Sequence, residues 1–267
     1  MRPSSVTPVL VALLSAAPLL AQTDRASQFM ANCQNNRNDH EQFCETRNAT
    51  IAATRALNVD GRQNGGITVH AWDKTQVQVL AMVQAQGETE NDAREIARQI
   101  VVTSNAGEIR ADGPRTNQRG ENWSVSYEIW VPRTTELSLT ASNGGLAVDG
   151  VESKMTLETV NGGISLRDVA GDIRGTTTNG GITANLSGDG WRGAGLDLRT
   201  TNGGVNLVMP ANYSAQLQTG TTNGRVNVNF PLTVSGDITR QLNTTLGRGG
   251  APIRVVTTNG GVSIKQR

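Results

Sequence analysis

The sequence predicts an all-β fold, a single-chain β-solenoid built from Asn-Gly-Gly repeats of about 18–23 residues, with one short helix in the N-terminal part. Three observations predict this fold. The Asn-Gly-Gly triplet recurs along the second half of the chain, apolar residues keep fixed distances from each triplet, and aromatic residues make up only 3% of the sequence. A thin core of stacked aliphatic side chains needs few aromatic rings, whereas a globular core usually depends on them.

Six repeats follow one another from about residue 132, and an outlying copy begins at Asn64. Successive asparagines are 18, 18, 23, 21 and 36 residues apart, and we interpret the last spacing as about two units. In the repeat that begins at Asn223, Arg225 replaces the second glycine. The repeat asparagines are Asn143, Asn161, Asn179, Asn202, Asn223 and Asn259. The glycines directly after them are Gly144, Gly162, Gly180, Gly203, Gly224 and Gly260.

Fixed offsets within the repeats predict which side chains face the core. Most asparagines have an apolar residue four positions earlier and a threonine two positions earlier, as Leu157 and Thr159 precede Asn161. Because side chains alternate along a strand, the apolar residue, the threonine and the asparagine should all point inward. We therefore expect a buried ladder in which each asparagine amide bonds to the next. The glycines after the asparagines should turn the corner with positive φ.

The alternative fold is a meander of ordinary Asn-Gly hairpins in an antiparallel sheet, which the same triplet would suit. A meander does not require the same residue at every corner, nor a column of buried threonines. The solenoid accounts for both features, so it is the preferred interpretation.

The chain before the repeats divides into three segments. Residues 1–21 are predicted to be a secretory signal peptide, since Arg2 precedes an apolar run and Ala21 precedes a cleavage point at Gln22. Residues 22–50 contain both cysteines, and residues 51–131 contain strands interrupted by a helix over residues 89–100 with Thr89 as its N-cap. Residues 132–267 form the repeat solenoid, continuous with 51–131. The leader's apolar run is shorter than the ~20 residues that span a bilayer, so no stable membrane insertion is expected after its removal.

Cys33 and Cys44 are the two cysteines of the chain, and they flank a polar stretch. In an oxidising compartment this pattern predicts a local Cys33–Cys44 disulfide. A metal site is the alternative, because His40 lies between the two cysteines. Three such ligands without a nearby fourth make a poor zinc site, so we expect neither a metal nor a cofactor.

The segment from Ile51 to the C-terminus resembles the DUF4097 family, whose members are provisionally named adhesins. The resemblance rests on the run Gly66–Asp73, the helix that follows it, the Val131-Pro132 step before the repeats, and the Thr-x-Asn-Gly-Gly units. The resemblance implies a β-solenoid at the bacterial envelope and supplies no catalytic motif. The cysteine-containing segment before Ile51 lies outside the family pattern.

The sequence shows no cluster of acid, base and nucleophile, so the expected class is an exported, non-catalytic protein without catalytic residues. Two alternatives stay open: an envelope-stress sensor or scaffold in the periplasm, and a polysaccharide-active solenoid enzyme. The enzyme would have to use carboxylates near the corners, although turn preference also explains their positions. These carboxylates are Asp149, Asp168, Asp172, Asp189 and Asp237.

Charge and one residue pair bear on the choice of partner. The chain has 24 basic and 23 acidic residues, and loss of Arg2 with the leader leaves 23 of each, so no nucleic acid is expected as a partner. Trp191 and Arg192 lie in an insertion that lengthens one repeat to 23 residues. Tryptophan beside arginine is typical of contact sites, and the alternative is a tryptophan folded back against the coil. The expected partner is an unidentified protein or glycan at the cell envelope.

Overall fold

The computed structural model describes residues 17–35, 40–105, 107–116, 120–231 and 240–267. This part of the chain forms two ten-stranded β-sheets that face each other across one hydrophobic core. The two helices are α1 (Ala17–Asn35) and α2 (Glu90–Gln99). The strands are β1 (Glu41–Ala52), β2 (Ala56–Asp60), β3 (Ile67–Trp72), β4 (Gln76–Gly87), β5 (Val101–Asn105), β6 (Glu108–Asp112), β7 (Asn122–Pro132), β8 (Glu136–Ala141), β9 (Leu146–Asp149), β10 (Glu152–Thr159), β11 (Ile164–Arg167), β12 (Ala170–Asn179), β13 (Ile182–Asn185), β14 (Gly195–Asn202), β15 (Val205–Met209), β16 (Ala215–Asn223), β17 (Val226–Asn229), β18 (Gln241–Leu246), β19 (Pro252–Asn259) and β20 (Val262–Gln266).

Each turn of the chain places one strand in each sheet. The resulting coils are β2/β3, β8/β9, β10/β11, β12/β13, β14/β15, β16/β17 and β19/β20. Neighbouring coils pair in parallel, as Ile164 with Ile182 in one sheet and Leu157 with Gly175 in the other. Both sheets stack the coils in the same order. The chain therefore winds as the predicted β-solenoid and not as an antiparallel meander.

The core consists of inward-facing columns, each made by equivalent residues of successive coils. The column four residues before the repeat asparagines is fully buried at Leu139, Leu157, Leu198 and Val255. Gly175 interrupts this column and makes room for its neighbour, because a Cβ at Gly175 would lie 2.7 Å from Cδ2 of Leu198. The alternation predicted from the sequence therefore places the aliphatic residues as expected.

The coils at the C-terminal end do not stack in sequence order. Strand β19 lies between β14 and β16, and β20 lies between β15 and β17. The coil β19/β20 is therefore inserted between two coils that precede it in the chain. The expectation that two successive units separate Asn223 from Asn259 is wrong, because this interval contains β18, which runs antiparallel along β16. Residues 232–239 lie outside the described residues.

Long antiparallel strands and helix α2 close the N-terminal end of the stack. Strand β4 pairs antiparallel with both β1 and β7, and β7 pairs in parallel with β3. Helix α2 begins after its N-cap Thr89, whose side chain accepts a hydrogen bond from the N–H of Asp92 while the Asp92 carboxylate accepts one from the N–H of Thr89. Ala93, Ile96 and Ala97 are buried where α2 contacts β1 and β4. This capping box and apolar stripe confirm the predicted helix.

Helix α1 adds a second helix to the one expected. It spans the cleavage point predicted at Gln22, while residues 1–16 of the predicted leader lie outside the described residues. Helix α1 contacts β1 and β4, and Ala26 packs against a small cluster of Trp72, Leu80 and Trp130. Its sequence lacks the apolar stripe of α2, so its position depends on these tertiary contacts.

Candidate functional site: the asparagine ladder and the cleft at its end

The repeat asparagines form one continuous ladder of side-chain hydrogen bonds along a corner of the solenoid. On adjacent coils, Nδ2 of one asparagine donates to Oδ1 of the next at 2.7–3.0 Å. At one end, Nδ2 of Asn64 donates to Oδ1 of Asn122 at 3.3 Å. All donors point toward this end. The order along the ladder is Asn122, Asn64, Asn143, Asn161, Asn179, Asn202, Asn259 and Asn223.

The ladder lies on the surface, so the expectation that the asparagines point inward and are buried is wrong. All six repeat asparagines are exposed. In β12, Thr177 is buried but Thr178 and Asn179 are both exposed, which shows that the strand's alternation ends at the asparagine. The physical reason is that the chain begins its corner there, and this bend carries the amide outward.

The buried threonines two residues earlier bond to the corner backbone. Thr177 Oγ1 donates to the carbonyl oxygen of Gly162 at 2.7 Å, and Thr159, Thr200, Thr221 and Thr257 make the equivalent bond to the adjacent coil. Each of these threonines is about 5% exposed or less. A buried carbonyl group must find a donor, and the threonine hydroxyl supplies it.

The glycines after the asparagines are required by close packing between coils and not by positive φ, so that part of the prediction is wrong. Of the six, only Gly260 has a positive φ, and its value of 159° is close to extended. A Cβ at Gly180 would lie 2.1 Å from the carbonyl oxygen of Gly162, and the other five glycines meet a carbonyl oxygen at 2.0–2.1 Å. The second glycine is less restricted, since a Cβ at Gly181 would lie 3.4 Å from the nearest oxygen. Arg225 occupies this second position in one coil.

The structure contains the predicted disulfide but does not support Trp191 as a contact residue. The structure contains the predicted Cys33–Cys44 disulfide, which joins α1 to β1. Trp191 is not an exposed contact residue: it packs into the core, and its Nε1 donates to the carbonyl oxygen of Gly171 at 3.0 Å. Arg192 is exposed and forms an ion pair with Glu152 at 2.5 Å. The insertion leaves enough chain for the indole to fold back against the coil.

Several corner carboxylates have arginine partners. Asp149 pairs with Arg167, whose hydrogen bonds lower the pKa of the aspartate. Asp168 lies 3.6 Å from Arg267, and Asp189 lies 4.0 Å from Arg248. Asp237 lies outside the described residues. Among the described residues no group of three or more His, Cys, Asp or Glu side chains could hold a metal ion.

A buried carboxylate holds α1 against the outer face of β7. Glu128 is 4% exposed, lies 2.9 Å from Arg25 of α1, and accepts a hydrogen bond from Nε2 of His70 at 2.9 Å. Burial alone would raise the pKa of Glu128, but the hydrogen bond with His70 and the charge of Arg25 outweigh burial and lower the pKa. The His70 ring stacks on Trp130. This cluster secures α1 on the outer face of β7.

A cleft lies where the ladder ends at Asn122. Its first hollow, of about 430 Å³, is bounded by the turn after β2, the segment after β6 and the start of β7. Trp123 forms part of its wall. The indole is fixed, because Nε1 donates to the carbonyl oxygen of Pro114 at 2.9 Å and the backbone of Gly113 lies against the ring.

Arg62 forms the opposite part of this wall in an unusual backbone conformation. Its φ is 53°, which residues other than glycine seldom adopt. The conformation is held by Asp60, whose carboxylate accepts a hydrogen bond from the N–H of Arg62 at 2.8 Å. The guanidinium pairs with Asp112, and this hydrogen bond raises the pKa of Arg62.

A second hollow, of about 300 Å³, shares Asn64, Asn122, Trp123 and Ser124 with the first. Its other walls include Gln84 and Gln86 of β4 and Ser126 of β7. Oδ1 of Asn122 accepts hydrogen bonds from Asn64 and from the N–H of Trp123, while its Nδ2 has no partner within the described part of the chain. The two hollows therefore form one elongated cleft lined by amides. Sequence reasoning missed this cleft, because Asn122 is not followed by glycine and stands outside the repeats.

The family model that describes Toastrack DUF4097 matches residues 52–265. The chain belongs to this family. The match covers all the coils of this DUF4097 chain, whereas α1 and Cys33 precede it. The resemblance inferred from the Asn-Gly-Gly units is thereby confirmed.

Three solved structures are similar to this DUF4097 chain at low sequence identity. A provisionally named cell adhesion protein from Clostridium sporogenes is 14% identical, with 84% of this chain and 100% of that chain covered and a TM-score of 0.46. A provisionally named adhesin from Bacteroides fragilis is 10% identical over 84% and 97% of the two chains, with a TM-score of 0.41. A provisionally named lipid binding protein from Parabacteroides distasonis is 11% identical over 87% and 100%, with a TM-score of 0.36.

No curated protein matches the sequence of this DUF4097 chain. Within the residues that the structure describes, neither helix combines the length and the apolar character needed to cross a bilayer.

Proposed function

We propose that this DUF4097 protein is an exported, non-catalytic interaction module of the adhesin type, which presents a rigid β-solenoid to a protein or glycan at the bacterial envelope. The observation that carries the proposal of export is the Cys33–Cys44 disulfide. Disulfides persist in oxidising compartments and are rare in the bacterial cytoplasm. The predicted leader at residues 1–21 is consistent with the same route.

The architecture supports a role in binding. A stack of parallel coils presents long, regular faces whose side chains are fixed by neighbouring coils, and solenoids commonly use such faces for recognition. The cleft beside Asn122 and Trp123 is a concave site on this rigid frame. The hydrogen-bonded arginine partner of Asp149 supports a structural role for this carboxylate.

Cell fractionation combined with thiol labelling tests the proposal. The full chain, expressed in a bacterial host, should appear outside the cytoplasm with both cysteines protected from alkylation until a reductant is added. A Cys33→Ser, Cys44→Ser double variant serves as the labelling control. Recovery of the native chain in the cytoplasm with two free thiols would contradict export. Turnover of a polysaccharide that disappears on changing Asp172→Asn or Asp189→Asn would contradict the non-catalytic role.

A further inference from the structure

We infer that the cleft at the Asn122 end of the ladder binds a neutral oligosaccharide. This inference deepens the proposed function and rests on it. The inference rests on one observation: the two hollows are joined by the fixed indole of Trp123 and the amides of Asn64 and Asn122. Each feature corresponds to one property of a sugar ring.

The fixed indole suits the apolar face of a sugar. The ring C–H groups of a pyranose form a weakly apolar surface that packs against aromatic rings. Trp123 is half-buried and lines both hollows, and its hydrogen bond to Pro114 fixes the ring before any ligand arrives. A surface ordered in advance loses less conformational entropy on binding.

The amides suit neighbouring hydroxyl groups. Each hydroxyl donates and accepts, and a side-chain amide offers two donors and one acceptor oxygen within a short distance. Asn122 already uses its oxygen inside the ladder, and its Nδ2 is directed by those bonds while lacking a partner among the described residues. Gln63, Gln84 and Gln86 add further amides along the same cleft.

The charge in the cleft favours a neutral ligand. The guanidinium of Arg62 pairs with Asp112 and lies 3.6 Å from Asp60, so its charge is compensated. Arg115 is the lining cation that has no ion pair within the described part of the chain. One exposed cation produces only a weak attraction for anions. Among the described lining residues, an acidic polysaccharide or a nucleic acid would find no cluster of unpaired cations.

The backbone of Arg62 supports the assignment of a binding role to this region. Non-glycine residues with positive φ persist where the surroundings enforce them, and they are concentrated at ligand-binding sites. Here the Asp60 carboxylate holds the backbone of Arg62 at a φ of 53°, directly at the wall of the cleft. The turn therefore holds Gln63 and Asn64 in place beside Trp123.

Isothermal titration calorimetry with four defined probes tests the inference on the full, disulfide-bonded chain. The probes are tetra-N-acetylchitotetraose, cellotetraose, tetragalacturonate and tetra-alanine. We expect at least one of the two neutral tetrasaccharides to bind, more tightly than tetragalacturonate and tetra-alanine. Asn122→Ala should weaken this binding about three- to tenfold, which is the effect of one lost hydrogen bond.

The opposite end of the ladder provides a matched control. Asn223→Ala also removes a terminal ladder asparagine but lies far along the stack from the cleft, so it should leave saccharide affinity unchanged. Trp123→Leu should abolish binding, and the circular dichroism spectrum of this variant reports whether the fold survives. If Trp123→Leu does not fold, the Asn122 and Asn223 pair decides the question.

Three outcomes would overturn the inference: no binding of either neutral tetrasaccharide, tighter binding of tetragalacturonate or tetra-alanine, or equal effects of Asn122→Ala and Asn223→Ala. These outcomes are distinct from failure of the proposed function. A chain that is exported and oxidised but does not bind the neutral probes retains the proposed function and loses only the saccharide assignment.

Discussion

The middle of the solenoid and its two ends are built on different principles. From β10 to β15 each coil repeats the same contacts, with a buried threonine, a close-packed glycine and an exposed ladder asparagine. At the N-terminal end the stack is closed by antiparallel strands, two helices and a disulfide, and at the C-terminal end by β18 and an inserted coil. Repetition stabilises the middle, whereas each end needs its own solution to cover exposed strand edges.

Removing the inserted coil should have the largest effect. Deletion of residues 252–267 removes the nearly fully buried side chains Ile253, Val255, Val262 and Ile264. At about 1.5–3 kcal/mol for each buried side chain, the loss is about 6 kcal/mol or more. We expect residues 211–231 and 240–246 to become sensitive to limited proteolysis while the middle coils stay resistant.

A shorter deletion gives the control. Removal of Gln266 and Arg267 alone should leave the proteolysis pattern and the melting temperature nearly unchanged. Suppose that the chain lacking residues 252–267 also stays resistant over residues 211–231 and 240–246. Coil β16/β17 could then dock directly on β14/β15, and the C-terminal end would depend less on the inserted coil than we expect.

The first glycine of the triplet should be the most sensitive single position in the middle. Gly180→Ala places a Cβ 2.1 Å from a backbone oxygen that cannot move without shifting a coil, so we expect a loss of about 3 kcal/mol or more. Gly181→Ala meets only ordinary contact at 3.4 Å and should cost less than about 1 kcal/mol. Urea unfolding measures both. Equal losses of stability in the two variants would show that close packing between coils is not the reason for glycine at position 180.

The buried threonine should come next. Thr177→Val keeps the shape of the side chain but leaves the carbonyl of Gly162 without its hydroxyl donor, which should cost about 1–3 kcal/mol. Thr178→Val, one residue later and exposed, should change stability by no more than about 0.5 kcal/mol. The two variants are compared by urea unfolding. If Thr177→Val leaves the free energy of unfolding unchanged, the buried threonines do not stabilise the middle coils.

The ladder asparagine should have a smaller effect than the threonine. Asn179→Ala removes two side-chain bonds of 2.8 Å, but water replaces them at this exposed site, so we expect a loss of about 1 kcal/mol. Thermal unfolding of Asn179→Ala beside Thr177→Val gives the ranking. If Asn179→Ala lowers stability more than Thr177→Val does, the exposed ladder stabilises the coils more than the buried threonines do, contrary to our expectation.

The smallest effect should appear at the N-terminal end and only in acid. The pKa of folded Glu128 is lowered, so its contribution is fully present above the unfolded carboxyl pKa and is lost as pH falls through the folded value. In the Glu128→Gln variant the free energy of unfolding should therefore fall less than in wild type between mildly acidic and strongly acidic pH. Asp73→Asn, an exposed carboxylate at the same end, is the control. Parallel acid-unfolding curves for wild type and Glu128→Gln would contradict this linkage.

Regular positions could be predicted from the sequence, and unique ones could not. Leu157, Thr159 and the α2 stripe followed from periodicity, because burial imposes a pattern on every coil or turn. The direction of Asn179 could not be predicted, since the bend at the corner ends the alternation on which the inference rested. The coil order could not be predicted either, because nearly identical Asn-Gly-Gly units can stack on one another in more than one order.

The candidate cleft belongs to the unpredictable part. It brings Arg62, Asp112 and Asn122 together from three segments well separated in the chain. None of these residues occupies a recurring position of the Asn-Gly-Gly repeats that would identify it as a site residue. The sequence did offer one signal, the outlying copy at Asn64, whose distance from the other repeats indicated a special position.

The ladder also affects how the protein ages chemically. In an Asn-Gly pair the glycine nitrogen can attack the side-chain amide, expel ammonia and form a succinimide, which reopens to aspartate or isoaspartate. The sequence contains seven such pairs. In the folded chain the nitrogens of Gly180, Gly203 and Gly260 are bound to carbonyl oxygens of the adjacent coil, and the attacked amides are held in the ladder. Folding therefore protects the sites that this chemistry favours.

An opened coil loses this protection at once. Isoaspartate lengthens the main chain by one methylene. The coils are too close for that change, because even a Cβ added at Gly180 would lie 2.1 Å from the carbonyl oxygen of the adjacent coil. A transient unfolding event at one corner would thus become permanent. The same triplet that allows coils to stack closely makes the lifetime of the protein depend on how rarely its corners open.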